Sequence, residues 1–280
     1  MKRHYFEFLN QNGNKIKGDL RIPLLQEKAP VLIFSHGFKG FRNWGFIPFV
    51  CDEFARRGYI SINFDFSLNG IIDDIEQIYD DEIFRRNKVS VEVSDLTFLI
   101  ERIIDSQLNN ADFRDKWNGI IYLAGHSLGG AISVFTAGKF NQIQKMSLWA
   151  SVSELDRNTP RQKEIWNEKG FTEIVIQNTG QKLHLDYSYI EDKDTSFQHN
   201  AIINAMEHLT IPVQIIHPQN DMTVKLKEAV ELASTGNNII KRELNVIAKA
   251  GHTFNCRHPF DQPSKALEKA LESTFMFFES

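Results

Sequence analysis

A serine flanked by glycines, at the point where an apolar run gives way to a helical pattern, constrains the fold more than any other feature. Residues 123–133 read LAGHSLGGAIS, so that Gly125 and Gly129 flank Ser127 in a Gly-x-Ser-x-Gly pattern. This pattern is typical of a sharp strand-to-helix turn that holds a serine hydroxyl clear of the backbone. Strand and helix nearly collide there, so the residues two before and two after the serine must be small. The pentapeptide alone is a weak signal, and the rest of the chain must supply its context.

Apolar runs alternate with helical patterns along the chain. Several runs, such as VLIF, IIYLA and VQII, are continuous, as expected for strands buried on both faces of a parallel sheet. The first two strands, separated by QNGN, predict an antiparallel hairpin. The strand candidates are 4–9, 15–23, 31–35, 60–66, 120–125, 145–150, 212–217 and 242–248. The helix candidates are 91–108, 128–140, 224–234 and 263–278.

This alternation predicts an α/β fold, with an eight-stranded, mostly parallel sheet and helices on both faces. We expect a single domain over 1–280. Residues 152–208 separate core strands six and seven by far more than a usual connection. Within them TEIVIQ and KLHLDYSY flank NTG, which predicts a β-hairpin, and helical segments are expected near 160–169 and 196–208. We interpret 152–208 as a cap over the sheet edge where Ser127 lies.

Aromatic side chains of this cap are candidate substrate-binding residues. Period-two alternation in KLHLDYSY predicts one shared face, formed by Leu183, Leu185, Tyr187 and Tyr189. We expect that face to pack toward the pocket, so that Tyr187, Tyr189 and the nearby Trp166 contact substrate. The alternative is that these aromatics only seal the cap against the core.

Composition excludes several classes of partner. The chain is 42% hydrophobic and 24% charged, with a net charge of -4, which favours neither nucleic acid nor an acidic membrane surface. No apolar run approaches the length of a membrane span. The N-terminus, MKRHYFEFLNQNGNK, makes a poor signal peptide, so we expect a cytoplasmic protein with a small-molecule substrate. The oligomeric state is left open.

Neither a disulfide framework nor a metal site is expected. The two cysteines are too few for a framework, and Cys51 is interpreted as a buried thiol. Cys256 could be mistaken for a nucleophile, but Ser127 in its turn is the stronger candidate. The acidic stretch 73–82 lacks the glycine and terminal glutamate of a calcium loop, so we expect it to be solvated. No cofactor is expected.

A serine hydroxyl needs a base to remove its proton, and the base is usually histidine. Of the nine histidines, His252 lies in AKAGHTFN, a glycine-bearing loop after the last core strand. From there a histidine reaches back over the strand ends to Ser127. The alternative is a structural histidine.

The base in turn needs a carboxylate to hold its tautomer. VQIIHPQNDMTV ends a buried strand and delivers Asp221 into the next loop, so that Ser127, Asp221 and His252 occur in the order that such sites use. Asp221 could instead act as a turn or cap residue. Glu154 and Asp156, after the preceding core strand, are the competing acids.

Acyl transfer also needs donors for an oxyanion. SHGFKGFRNWG follows strand 31–35, and its glycines allow a tight turn. We expect the backbone N–H groups of Phe38 and Leu128 to point at the same spot, with His36 bracing the loop through hydrogen bonds.

The segments HGFKGFRNWG, GHSLGG, IIHPQND, AGHTF and RHPF resemble the α/β-hydrolase superfamily over essentially the whole chain. The sequence is most similar to serine esterases related to dienelactone hydrolases and cinnamoyl or feruloyl esterases. The resemblance implies Ser127 as nucleophile, Asp221 as acid, His252 as base, Phe38 and Leu128 as oxyanion donors, and a cap that shapes the acyl pocket. It departs from dienelactone hydrolases proper, in which the nucleophile is cysteine.

We therefore expect a cofactor-free serine hydrolase that cleaves carboxylic esters through an acyl-enzyme. Thioesters and peptides present the same carbonyl, so an acyl thioesterase or a serine aminopeptidase is the nearest alternative. A non-catalytic binding protein on the same fold is a more distant one.

Overall fold

An eight-stranded sheet lies at the centre of the computed structural model, which describes residues 1–24, 27–108, 110–236 and 241–280. Two short hairpins lie outside this sheet. In chain order the strands are β1 (Lys2–Leu9), β2 (Lys15–Ile22), β3 (Ala29–Ser35), β4 (Ile60–Asp65), β5 (Ile71–Asp73), β6 (Ile78–Tyr79), β7 (Trp117–His126), β8 (Ile143–Trp149), β9 (Phe171–Val175), β10 (Lys182–Asp186), β11 (Val213–Pro218) and β12 (Arg242–Ile247).

The large sheet has the strand order β1-β2-β4-β3-β7-β8-β11-β12. β1 and β2 form the predicted antiparallel hairpin, β2 is antiparallel to β4, and every later pairing is parallel. The predicted mostly parallel sheet of eight strands is therefore confirmed. Its inner strands are apolar because both faces are covered: all residues of β4 and β11 are buried.

Helices follow most of the parallel strands, as the alternation predicts. The helix predicted at 91–108 ends earlier, at Ile104, and the other three predicted core helices lie within a few residues of their expected bounds. Among the residues described, no helix combines the length and the apolar character that crossing a bilayer requires. The helices are α1 (Ile47–Arg56), α2 (Asp81–Phe84), α3 (Val89–Ile104), α4 (Ala111–Lys116), α5 (Leu128–Ala137), α6 (Pro160–Lys169), α7 (Ser188–Ser196), α8 (Ala201–Glu207), α9 (Leu226–Ser234) and α10 (Lys265–Glu279).

Two hydrophobic cores cover the two faces of the sheet. Along β3, Ile33 belongs to the core under α3 and α5, whereas its neighbour Phe34 belongs to the core under α1 and α10. On the second face the rings of Phe54 in α1 and Phe275 in α10 lie 4.3 Å apart. Burial on both faces fixes the ends of β3, β7, β8 and β11, where the candidate site lies.

The chain between β8 and β11 forms α6, the hairpin of β9 and β10, α7 and α8, and is called here the β8–β11 segment. Its hairpin pairs Leu183 with Ile174, as predicted for this region. The helix predicted at 196–208 begins later, as α8 at Ala201, and α7 before it was not predicted. A third apolar cluster joins the segment to the rest of the chain; its fully buried members include Leu183, Ile190, Phe41 and Phe84.

One buried carboxyl group couples the fold to pH. Glu92 of α3 is only 3% exposed, and its Oε1 accepts a hydrogen bond from Asn87 Nδ2 at 3.0 Å. Burial, together with the nearby Asp95 and Asp192, raises the pKa of Glu92 from 4.5 to about 8. The folded state therefore keeps a proton that the unfolded chain releases.

The contribution of Glu92 to stability should accordingly fall as pH rises from about 4.5 toward 8, because the unfolded state loses the Glu92 proton first. Glu92→Gln keeps an acceptor for Asn87 and removes the titration. From pH 5 to pH 8, a range of roughly three units, we expect the melting temperature of the variant to fall less, or to rise more, than that of the wild type. Glu101→Gln, at an exposed position of α3, is the control and should follow the wild type. An identical pH dependence in Glu92→Gln would contradict this account.

Candidate active site

Ser127 occupies a strained turn between β7 and α5. Its φ is 58° and its ψ is -121°, a conformation that non-glycine residues rarely adopt. The turn is held by the Ser127 N–H, which donates to the carbonyl of Trp149 at 2.9 Å. Backbone strain of this kind concentrates at functional sites.

Close backbone packing explains the flanking glycines. A Cβ added at Gly125 would lie 2.3 Å from the carbonyl oxygen of Gly129. One added at Gly129 would lie 2.4 Å from the carbonyl oxygens of Ser35 and His36 at the end of β3. No side chain fits at these distances, so α5 can begin against β3 and β7 only with glycine at both positions.

His252 and Asp221 come together although 31 positions separate them in the chain. Nδ1 of His252 lies 2.7 Å from Oδ2 of Asp221, whose side chain is fully buried. The other oxygen, Oδ1, accepts the backbone N–H groups of Thr223 at 2.8 Å and Val224 at 2.9 Å. Because a carboxylate only accepts, His252 donates from Nδ1, which leaves Nε2 free to take a proton.

The charge of Asp221 is stabilised in this setting. Burial by itself would raise its pKa, but the hydrogen bond and charge of His252, with the N–H groups of Val224 and Thr223, hold the pKa below its ordinary value. Asp221 is therefore an anion beside the imidazole at neutral pH.

The competing acids lie elsewhere. Oε1 of Glu154 is 3.9 Å from Nδ1 of His199, and Oδ2 of Asp156 is 2.9 Å from Nζ of Lys163. Neither contacts His252. Of the acids considered from sequence, the structure brings Asp221 alone to the imidazole.

His126, which directly precedes Ser127, holds the backbone of His252 in place. Its Nε2 lies 3.0 Å from the carbonyl oxygen of His252, so the Nε2–H donates, and the two rings are 4.8 Å apart. Burial, with the charge of His252 second, lowers the pKa of His126 to about 3. A neutral histidine thus anchors the backbone of another. In the sequence, only the position of His126 next to Ser127 could have indicated a role. Its contact with His252 joins residues 126 positions apart, which no local pattern reports.

His36 braces the loop after β3, as expected from sequence. It accepts the N–H of Phe66 through Nε2 at 3.3 Å, so Nδ1 carries the hydrogen and donates to the carbonyl of Gly37 at 2.9 Å. Burial lowers the pKa of His36 to about 4, which keeps this pair of bonds intact at neutral pH.

Two backbone N–H groups are available beside Ser127. Gly37 approaches the serine so closely that an added Cβ would lie 2.9 Å from Ser127 Cβ, which places the Phe38 backbone next to the start of α5. Within the described residues, neither the Phe38 N–H nor the Leu128 N–H donates to a protein acceptor. Unsatisfied donors at such a point are suited to a developing negative charge.

Ser127 lies between two cavities. One, of about 230 Å³, is lined by Ser127, His252 and His126 together with the loop 36–40 and residues 176–178. The other, of about 360 Å³, lies under the β8–β11 segment. Phe38 and Ser127 line both cavities. The apolar lining of the second cavity includes Leu128, Val152, Trp166, Ile174, Leu185 and Tyr189.

No protein-family model matches this chain, and no curated protein matches it in sequence. Solved structures do match over almost its whole length. Est1E from Butyrivibrio proteoclasticus is 18% identical, with a TM-score of 0.67, over 99% of this chain and 98% of that one. The α/β hydrolase GrgF from Penicillium sp. sh18 is 15% identical, with a TM-score of 0.74, over the same shares of the two chains. This chain has the α/β-hydrolase fold.

A third match is dienelactone hydrolase from Anabaena variabilis, at 15% identity and a TM-score of 0.62, over 99% of this chain and 97% of that one. The central residue of the Gly-x-Ser-x-Gly pattern in the present chain is Ser127. Cys256 is buried and lines neither cavity that Ser127 lines. Its Sγ lies 3.7 Å from the carbonyl oxygen of Phe254.

The three aromatic residues predicted to bind substrate separate into two groups. Trp166 and Tyr189 line the larger cavity, and their rings stack 6.2 Å apart. Tyr187 lines neither of the two cavities and packs edge-on against Trp166 at 6.4 Å. The expected alternation does not reach Tyr187 because β10 ends at Asp186 and α7 begins at Ser188.

Asp221→Asn tests the assignment of the acid. The amide would favour the wrong tautomer of His252, so we expect kcat for an ester to fall by on the order of 10⁴ with the fold retained. Glu154→Gln is the matched control and should change kcat little, because Glu154 does not contact the imidazole. A large loss in Glu154→Gln with a small one in Asp221→Asn would move the acid to the end of β8.

Proposed function

We propose that this protein is a serine hydrolase that cleaves carboxylic esters through an acyl-enzyme. The observation that carries the proposal is that His252, which pairs with the buried Asp221 at 2.7 Å, lines the same cavity as Ser127 on its strained turn. A protein that only binds a ligand would not require a histidine near a serine, nor a buried carboxylate that accepts a hydrogen bond from that histidine. This combination is what activates a weak nucleophile.

In the first half-reaction the Ser127 oxygen attacks the ester carbonyl while His252 Nε2 takes the hydroxyl proton. The carbonyl oxygen becomes an oxyanion, which the N–H groups of Phe38 and Leu128 stabilise. Asp221 stabilises the imidazolium that forms. Collapse of the tetrahedral species breaks the bond to the leaving oxygen, which receives the proton from His252, and the acyl group remains on Ser127.

In the second half-reaction water replaces the alcohol. His252 Nε2 takes a proton from water, whose oxygen attacks the acyl carbon. The bond to Ser127 then breaks, the serine oxygen regains the proton, and the carboxylic acid leaves. No redox step or additional reactant is needed.

The proton transfers indicate which part of the substrate occupies each of the two cavities. His252 must reach the leaving oxygen and later the attacking water, so the alcohol and the water occupy the cavity that His252 lines. The acyl group extends to the other side of Ser127, into the larger and more apolar cavity under the β8–β11 segment. Its aromatic lining favours acyl groups with a flat apolar body. A structure of Est1E, which shares the fold, contains ferulic acid.

Ser127→Ala tests the nucleophile. We expect a fluorophosphonate probe to label the wild type but not the variant, and ester hydrolysis to fall by several orders of magnitude, roughly 10⁶-fold in comparable triads. Ser106→Ala is the matched control, because Ser106 also has a positive φ of 56° but lines neither cavity. Ester hydrolysis that survives Ser127→Ala and is abolished by Cys256→Ala would refute the assignment.

Tyr189→Ala tests the acyl cavity. The Tyr189 ring lies 5.9 Å from Phe38 and stacks on Trp166, so its loss removes apolar contact from an aromatic acyl group. We expect the ratio of kcat/KM for a phenylpropenoyl ester over an acetyl ester to fall by roughly 10- to 200-fold. Tyr187→Ala should lower the melting temperature and leave this ratio unchanged. An unchanged ratio in Tyr189→Ala would limit the aromatic cluster to packing.

A further inference from the structure

The cavity on the His252 side contains no carboxylate among the described residues that line it. Besides His252, its ionisable side chains are Lys39, His36 and His126, and burial keeps both of these histidines neutral at neutral pH. At neutral pH the lining of this cavity therefore carries one permanent positive charge besides His252, that of the Lys39 ammonium. The remaining polar lining is made of amide and hydroxyl groups, from Gln77, Gln177, Asn178 and Thr253.

The Lys39 ammonium has no hydrogen-bond or ion-pair partner among the described residues. Its side chain is partly buried, and burial alone lowers its pKa. Arg42, three positions later in the same loop, is the opposite case: its guanidinium contacts Asp19 at 3.2 Å, Asp74 at 3.0 Å, and Asp65. Three carboxylates of this region therefore pair with Arg42, whereas Lys39, which lines the cavity, has no counter-ion among the described residues.

The backbone of Lys39 is held in a conformation that suits glycine better. Its φ is 61°, in a turn closed by the Gly40 N–H and the Gly37 carbonyl at 2.9 Å. Its carbonyl accepts the hydroxyl of Tyr79 at 2.7 Å, which fixes the root of the side chain at the cavity wall. A lysine at such a position is strained, and strain of this kind marks functional sites.

We propose that Lys39 binds an anionic group, a carboxylate or a phosphate, carried by the leaving alcohol of the substrate. The inference rests on the proposed function, because His252 identifies this cavity as the leaving-group side. The bound anion pairs with an ammonium that has no other partner, in a cavity without a competing carboxylate. At about 230 Å³ the cavity suits a compact alcohol.

The test compares aryl acetates that differ in the charge of the leaving group. The probes are 4-acetoxybenzoate, 4-acetoxyphenyl phosphate and the neutral 4-acetoxybenzamide. In Lys39→Met we expect kcat/KM for at least one anionic probe, relative to the amide, to fall by roughly 10- to 100-fold, the range of a hydrogen bond between charged groups. The arm with the larger loss identifies carboxylate or phosphate. Lys39→Arg should restore most of that ratio.

Lys249→Met is the matched control. Lys249 also has a left-handed backbone, with a φ of 57°, and is exposed in the loop before His252, but it does not line the cavity. It removes the same charge and should leave every ratio unchanged. If Lys39→Met does not fold, Lys39→Gly removes the charge at a backbone position that glycine adopts freely.

Equal ratios in wild type and in Lys39→Met, or in Lys39→Gly where Lys39→Met does not fold, would overturn the inference, as would a fall of the same size in Lys249→Met. Labelling by a fluorophosphonate separates this failure from failure of the proposed function, because the probe requires no anionic leaving group. A wild type that labels at Ser127 but shows no dependence on Lys39 would refute only the role of Lys39. A wild type that neither labels nor hydrolyses any acetate would refute both.

Discussion

The close approach of α5 to the ends of β3 and β7 is the constraint on which the rest of the site depends. Backbone carbonyls of Ser35 and Gly129 lie where the side chains at Gly129 and Gly125 would otherwise be. This contact forces Ser127 to a positive φ and brings Leu128 toward the loop that carries Phe38. Such strain persists only where the surroundings over-determine the conformation, and here two buried cores hold the strands from both faces.

Burial also determines the electrostatics of the candidate site. His36 and His126 are kept neutral by desolvation, and each uses a ring N–H to hold a backbone carbonyl in the loop that it supports. Asp221 is buried as well, but two backbone N–H groups and the imidazole keep it ionised. Asp221 thus keeps its charge beside His252, whereas the loops that His36 and His126 support are held by neutral hydrogen bonds.

The β8–β11 segment separates the two sides of Ser127. Trp166 and Tyr189 stack over an apolar cavity on one side, while the hairpin residues 176–178 border the cavity of His252 and Lys39 on the other. The hairpin is tied down by Gln181, whose side chain exchanges hydrogen bonds with the backbone of Tyr79 in β6. One segment therefore shapes both the acyl and the leaving-group side of the proposed reaction.

By itself the sequence determined the sheet and its helices, and it predicted the serine, acid and histidine that follow the strands, because continuous apolar runs and glycine spacing report local structure directly. It could not determine the role of His126, since a bond to His252 depends on two loops meeting across 126 positions. It misplaced Tyr187, because the change from strand to helix after Asp186 is decided by packing rather than by the alternation of residues. The sequence also could not show which charged groups pair. Arg42 and Lys39 lie three positions apart, but in the folded chain three carboxylates contact Arg42, whereas the cavity that Lys39 lines contains none among the described residues. Helices, strands and turns depend on neighbouring residues, which the sequence shows. The environment of a charged group depends on residues that only the tertiary structure brings together.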